Sequence, residues 1–151
     1  MLGAQLLQLE LPWSPSVNRI WRNYRGRTVL NPLVDRYRND VLARILEIDN
    51  GSHPGKLDGR LAIELDLYPP TRGRYDADNR IKSVLDAIEH AGLVADDEQF
   101  DRVTVTKWPY GVENPGGRIA VRIFRWIEEV PHEGQPDPVG VPARHPGEPR
   151  G

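Results

Sequence analysis

Between residues 61 and 108 the spacing of apolar side chains changes twice, and that limits the folds open to this chain more than any other feature. Residues 61–68 (Leu-Ala-Ile-Glu-Leu-Asp-Leu-Tyr) alternate apolar and polar, the period of a strand with one wet face. Pro69 and Pro70 end that run. Over residues 80–91 the apolar side chains fall at Ile81, Val84, Leu85 and Ile88, which is the spacing of an amphipathic helix. Asp78 or Asn79 fits its N-cap, and Gly92 fits the position just past its C-terminus, where a positive φ is usual. Residues 100–108 return to a β-rich pattern.

The flanking chain extends this order. Residues 4–11 read as a strand that Pro12 and Pro15 stop, and residues 13–19 as an extended loop. Residues 24–29 turn at Gly26, a small hairpin with Arg25 and Arg27 at its tip. Pro32 opens a second helix running to about Ile48, with Val34, Tyr37, Val41, Ile45 and Ile48 on one face. Residues 117–126 form the last strand, joined to residues 100–108 by a long hairpin loop over residues 109–116. The expectation is an α+β fold: four main strands and two main helices in the order βαβαββ, with the helices on a mixed or antiparallel sheet. Residues 1–130 make one domain of ordinary size. Residues 131–151 are rich in Pro and Gly, lack aromatic residues, and read as a disordered tail.

Composition narrows the function classes. No apolar run approaches the roughly 18–20 residues of a membrane span, and the N-terminus has no basic segment or cleavage site of a signal peptide. The absence of cysteine excludes disulfides and thiolate zinc sites and fits a cytoplasmic protein. The net charge of −2 conceals an uneven distribution. Residues 13–44 carry seven arginines against Asp35 and Asp40, whereas residues 128–151 carry five acidic side chains against Arg144 and Arg150. Asn18, Arg19, Arg22, Arg25 and Arg27, interleaved with Trp13, Trp21 and Tyr24, suit phosphates and unpaired bases. They equally suit a solvated loop whose tryptophans cover the core. His53, His90, His132 and His145 match no metal spacing and read as surface residues.

Chemistry concentrates where the helix begins. Asp76 and Asp78 lie two apart in what reads as the last extended residues before it, pointing to the same side. Asp96 and Asp97 return after Gly92, so carboxylates from two segments converge near Lys82. Such oxygen-rich sites suit Mg²⁺ or Mn²⁺, and an ion there supports phosphodiester hydrolysis. The same residues also read as ordinary N-capping, a Lys82–Asp86 pair at i, i+4, and a solvated turn at residues 96–98.

An ordered set of segments breaks that tie. Residues 11–19 (Leu-Pro-Trp-Ser-Pro-Ser-Val-Asn-Arg), Arg25-Gly26-Arg27, Asp76-x-Asp78-Asn79-x-x-Lys82, Asp86-Ala87, Ala91-Gly92 and Asp96-Asp97-x-Gln99 resemble the RusA family of Holliday junction resolvases. The likeness covers roughly residues 5–127. It implies a homodimeric, Mg²⁺-dependent endonuclease of bacterial, prophage or phage origin that cuts four-way DNA junctions by paired symmetrical nicks in recombination and repair. By the resemblance, Asp76, Asp78 and Asp97 match metal-binding carboxylates and Lys82 the lysine important for catalysis. Asp96 and Asn79 fall beside them. Arg72 and Arg74 join the residues expected to bind DNA, although Tyr75 intervenes between Arg74 and the first aspartate. A nuclease for another branched DNA and a non-catalytic branched-DNA-binding dimer are the alternatives. Each nuclease reading requires Asp97 to lie within about 10 Å of the Asp76–Asp78 pair, the limit for sharing one ion.

Overall fold

The computed structural model describes residues 1–16, 21–112 and 116–128, without the side chains of Trp21, Arg22 and Leu30. Its elements are β1 (Leu2–Pro12), β2 (Trp21–Tyr24), β3 (Arg27–Leu30), α1 (Pro32–Glu47), β4 (Leu61–Tyr68), α2 (Ala77–His90), β5 (Phe100–Lys107) and β6 (Arg118–Trp126). A short 3₁₀ turn, Asp97–Gln99, precedes β5. The α+β expectation holds: four strands form one mixed sheet in the order β1-β6-β4-β5, and β2 and β3 form a separate hairpin. The tail expected at residues 131–151 lies outside the described residues. No helix among the described residues is long and apolar enough to cross a membrane.

Sequence spacing explains which side of the sheet is dry. In β4 the side chains of Leu61, Ile63, Leu65 and Leu67 are buried, one on every second residue. Register lines them up with β6, pairing Ile63 with Ile123, Leu65 with Val121 and Leu67 with Ile119. Leu9 and Leu11 of β1 continue the same layer, opposite Val121 and Ile119. Tyr37, Val41 and Ile45 of α1 and Val84, Ala87 and Ile88 of α2 cover it. The other side of β4 is less wet than alternation implies, because Ala62 and Tyr68 are buried and Arg122 bonds both Glu64 and Asp66.

Two further expectations need correction. Residues 109–116 are not a hairpin loop, since β4 lies between β5 and β6; β5 pairs with β4 in parallel and β6 pairs with β4 antiparallel. The parallel pair requires a crossover connection, which α2 supplies. Ile48 leaves the buried face of α1 because the helix ends at Glu47, and 43% of Ile48 is exposed. At the other end of α1, Pro32 opens the helix and the Asn31 side chain accepts from the Leu33 amide at 3.0 Å. The chain entering β6 must pass Pro70 closely: a Cβ at Gly117 would sit 2.7 Å from the Pro70 Cβ, and its φ is +74°.

Ile63 is fully buried in a strand with neighbours on both sides. Ile63→Ala should lower unfolding free energy by about 2–5 kcal/mol. A chemical denaturation midpoint unchanged from wild type would contradict the central position of β4.

Candidate active site

The loop following β1 holds the start of α2 in place. Ser14 Oγ donates to the Arg80 carbonyl at 3.2 Å, and Ser83 Oγ donates to the Pro15 carbonyl at 2.6 Å. Arg80 returns a bond to the Ser14 carbonyl and lies 5.3 Å from the centre of the Trp13 ring. Trp13 meets Tyr75 edge-on, with ring centroids 4.9 Å apart. Of the two roles open to Trp13, the described contacts give it packing at the core edge. From the far side, Lys107 Nζ donates to the Tyr75 carbonyl at 3.1 Å. Burial pushes the Tyr75 hydroxyl pKa up, against an opposing effect of Arg80.

The helix begins earlier than its apolar spacing indicates. Asp76 is the N-cap and Asp78 already belongs to the first turn, so the two do not share the alternation of a strand. Asp76 makes no side-chain capping bond; its carboxylate accepts from Asn79 Nδ2 at 3.4 Å. At the other end, Gly92 adopts φ +77° as expected. His53 is exposed yet bonded: its Nε2 lies 2.8 Å from the Ala91 carbonyl, and its Nδ1 accepts from the Gly55 amide at 2.9 Å. Together these bonds assign the ring proton to Nε2.

The 3₁₀ turn is fixed as firmly. Asp96 accepts from the Glu98 amide at 2.9 Å, and Gln99 Oε1 accepts from the Ala95 and Asp96 amides. Gln99 Nε2 reaches the carbonyls of Leu57 and Gly59. Arg60 bonds Glu98 at 3.1 Å and also bonds Asp101, and the Arg60 hydrogen bonds hold the Asp101 carboxyl below its ordinary pKa. Asp96 therefore acts as the cap of the turn, and Asp97 is its first residue.

Asp97 comes together with Asp86 and Glu89, one oxygen from each lying within 4.8 Å of the others. All three are half-buried. Among the described residues this is the three-carboxylate group at such spacing, and Asp76 and Asp78 are not in it. Asp76 is ten residues before Asp86, about 15 Å along the helix at 1.5 Å per residue. The convergence expected from the sequence is therefore not formed at one-ion spacing within one chain, which corrects the requirement that a nuclease on this scaffold hold Asp97 beside Asp76 and Asp78 in the same chain. Glu89 is not among the residues singled out from the sequence. Asp86 appears there in the Lys82 pair, where the two lie 3.8 Å apart, and in the Asp86-Ala87 segment of the family resemblance, with no role as a metal ligand. Helical spacing carried the signal: residues 78, 82, 86 and 89 fall at i, i+4, i+8 and i+11, along one stripe of α2.

The basic residues divide into several places. Asn18 and Arg19 lie outside the described residues, as does the Arg22 side chain. Arg25 and Arg27 sit at the hairpin between β2 and β3, where Arg25 and Gly26 have φ of 49° and 74°. Positive φ at both loop positions suits the right-handed twist of the two strands. Arg72 and Arg74 are exposed on the segment leading to Asp76, and Arg74 borders a cleft with Asp76 and Asn79.

Residues 12–123 match the family described as Endodeoxyribonuclease RusA. A crossover junction endodeoxyribonuclease of Enterobacteria phage HK97 is 37% identical over 120 residues, covering 77% of this chain and 92% of the relative. Its counterpart in Enterobacteria phage 82 is 39% identical over 119 residues, and that of Escherichia coli K12 is 36% identical over 115. Each of those two alignments covers 76% of this chain and 91% of the relative. With its strap of Trp13-Ser14-Pro15, its acidic helix and its Asp97 turn, the chain belongs to the RusA family of endodeoxyribonucleases.

Proposed function

We propose that this protein is a divalent-metal-dependent endonuclease that resolves four-way DNA junctions by paired nicks, working as a homodimer in the cytoplasm of a bacterial or phage-infected cell. Residues 1–130 form the nuclease domain in this reading, and residues 131–151 a separate tail. The observation that carries it is the half-buried Asp86–Glu89–Asp97 group on a chain of this family. Three oxygens within 4.8 Å fit the shell of one hard cation, and an all-carboxylate set favours Mg²⁺ or Mn²⁺ over softer metals. A divalent ion held there supplies charge to a phosphate and lowers the pKa of bound water.

The remaining groups have separable roles. The amides at the N-terminus of α2 attract phosphate, and Asp76 leaves them uncapped by its own side chain. Lys82 lies midway along the acidic stripe with its side chain 62% exposed, and its ammonium would offset charge developing on a phosphate bound there. Asp76 and Asp78 stand at one end of α2, and Asp97 stands by the other. A two-fold axis across the middle of the helix would set the Asp76–Asp78 end of one protomer against the Asp97 end of its partner. Two composite sites result, one for each of two opposed strands, and each unites the carboxylates that one chain holds apart. Arg25, Arg27, Arg72 and Arg74 supply phosphate contacts around them.

Asp78→Asn and Asp97→Asn should each retain junction binding and lose cutting in Mg²⁺. Mixing the two inactive proteins separates an intrachain site from a composite one. Statistical exchange of protomers should restore about one working site in four if sites span the dimer; no recovery would reject that arrangement. Cutting that survives either single change would reject the assigned metal residues.

Arg25→Ala and Arg27→Ala should weaken junction binding, each lowering the slope of log affinity against log salt by about 1. An unchanged slope would remove the hairpin tip from the DNA surface.

A further inference from the structure

A second surface lies where β4 and β5 end, and the carboxylate chemistry does not use it. Tyr75, Lys107, Trp108, Tyr110 and Arg72 line a concavity of about 480 Å³ with no acidic side chain in its wall. Trp108 and Tyr110 are 39% and 40% exposed, so the core does not account for them. Trp108 is nevertheless fixed. Its amide donates to the Leu67 carbonyl at 2.9 Å and its Nε1 to Asp66 at 3.0 Å, while its ring lies nearly parallel to Tyr68, with centroids 6.0 Å apart. Asp66 is itself held by Arg122. Arg72 places its guanidinium 5.5 Å from the Tyr110 ring centre, and the Lys107 ammonium is 4.3 Å from that of Tyr75.

We propose that this aromatic and basic surface holds an unstacked nucleobase of the DNA, with Arg72 and Lys107 taking the adjoining phosphates. Held aromatic faces accept any base, because every base has a π-face, and the cations complement a polyanion instead of an apolar peptide. Trp108 enters already oriented, so a base stacking beside it costs less ordering than on a free side chain. The location gives the contact a purpose: Tyr75 is the residue before Asp76, so a base held here fixes the strand next to the acidic helix. Branch points offer unstacked bases more readily than linear duplex does. The inference rests on the junction-nuclease reading and adds a positioning surface to it.

The test uses full-length wild type, Tyr110→Ala, Tyr110→Phe and Arg72→Ala, with a four-way junction, linear duplex and single strand, all in EDTA to prevent cutting. Circular dichroism and thermal melting verify the fold. Tyr110→Ala should bind the junction about tenfold more weakly, within the range for losing one base–aromatic stack, with linear-duplex affinity unchanged. Tyr110→Phe should behave as wild type, and Arg72→Ala should weaken binding with a smaller salt slope. A 2-aminopurine beside the branch point should be quenched by wild type and not by Tyr110→Ala. Equal junction affinity and equal quenching for wild type and Tyr110→Ala would overturn the proposal. If wild type fails to prefer the junction over linear duplex, the junction reading fails instead. The single strand then decides for the surface, and equal binding of it by wild type and Tyr110→Ala overturns it.

Discussion

Packing of α2 against the sheet is the constraint on which the site depends. Val84, Ala87 and Ile88 face the core, and their burial fixes the rotation of the helix about its axis. Once that rotation is set, residues 78, 82, 86 and 89 must lie along another face, whatever their chemistry. The helix cannot slide either. Ser14 and Ser83 tie its first turns to the loop after β1, and His53 meets the Ala91 carbonyl at its end. The 3₁₀ turn is tied separately to Leu57, Gly59 and Arg60. Asp97 therefore meets Asp86 and Glu89 as a result of two independently anchored pieces of chain.

Local patterns made most of the elements legible. The alternation in β4, the apolar spacing of α1 and α2, the glycine after α2 and the Arg25-Gly26 turn all encode backbone geometry within a few residues. Strand order is a different kind of fact. Nothing local told β5 to pair in parallel with β4 while β6 took the other side, because that choice depends on long-range packing and on the crossover through α2. The start of α2 was misplaced for a related reason. Apolar spacing begins at Ile81, whereas the first turn is polar and is recognised only by its bonds to the Trp13-Ser14-Pro15 loop.

The acidic site was legible as a set of residue types and only partly as a geometry. Asp97 was singled out, and it does join a carboxylate group. Its companions within the chain are Asp86 and Glu89, the first of which also pairs with Lys82. An i, i+4 ion pair between groups 62% and 31% exposed is a weak constraint, worth only a few tenths of a kcal/mol in water. Such a pair does not prevent Asp86 from serving a second partner.

Charge placement reconciles an acidic site with a polyanionic substrate. The chain carries −2 overall, which by itself would repel DNA. Screening limits each exposed charge to about 8–10 Å at ordinary salt, so neighbours matter more than the total. The carboxylates of Asp86, Glu89 and Asp97 are half-buried at one end of α2. Arg72 and Arg74 are exposed before its other end, and Lys107 is clamped against Tyr75 there. The cations thus flank the Asp76–Asp78 end of α2, about 20 Å from its other end, where Asp97 stands. In the proposed dimer, a strand held by the flanking cations of one protomer would lie beside the Asp97 end of the other. Binding energy would then come from surfaces that need no metal, leaving the carboxylates to act on a phosphate already in place.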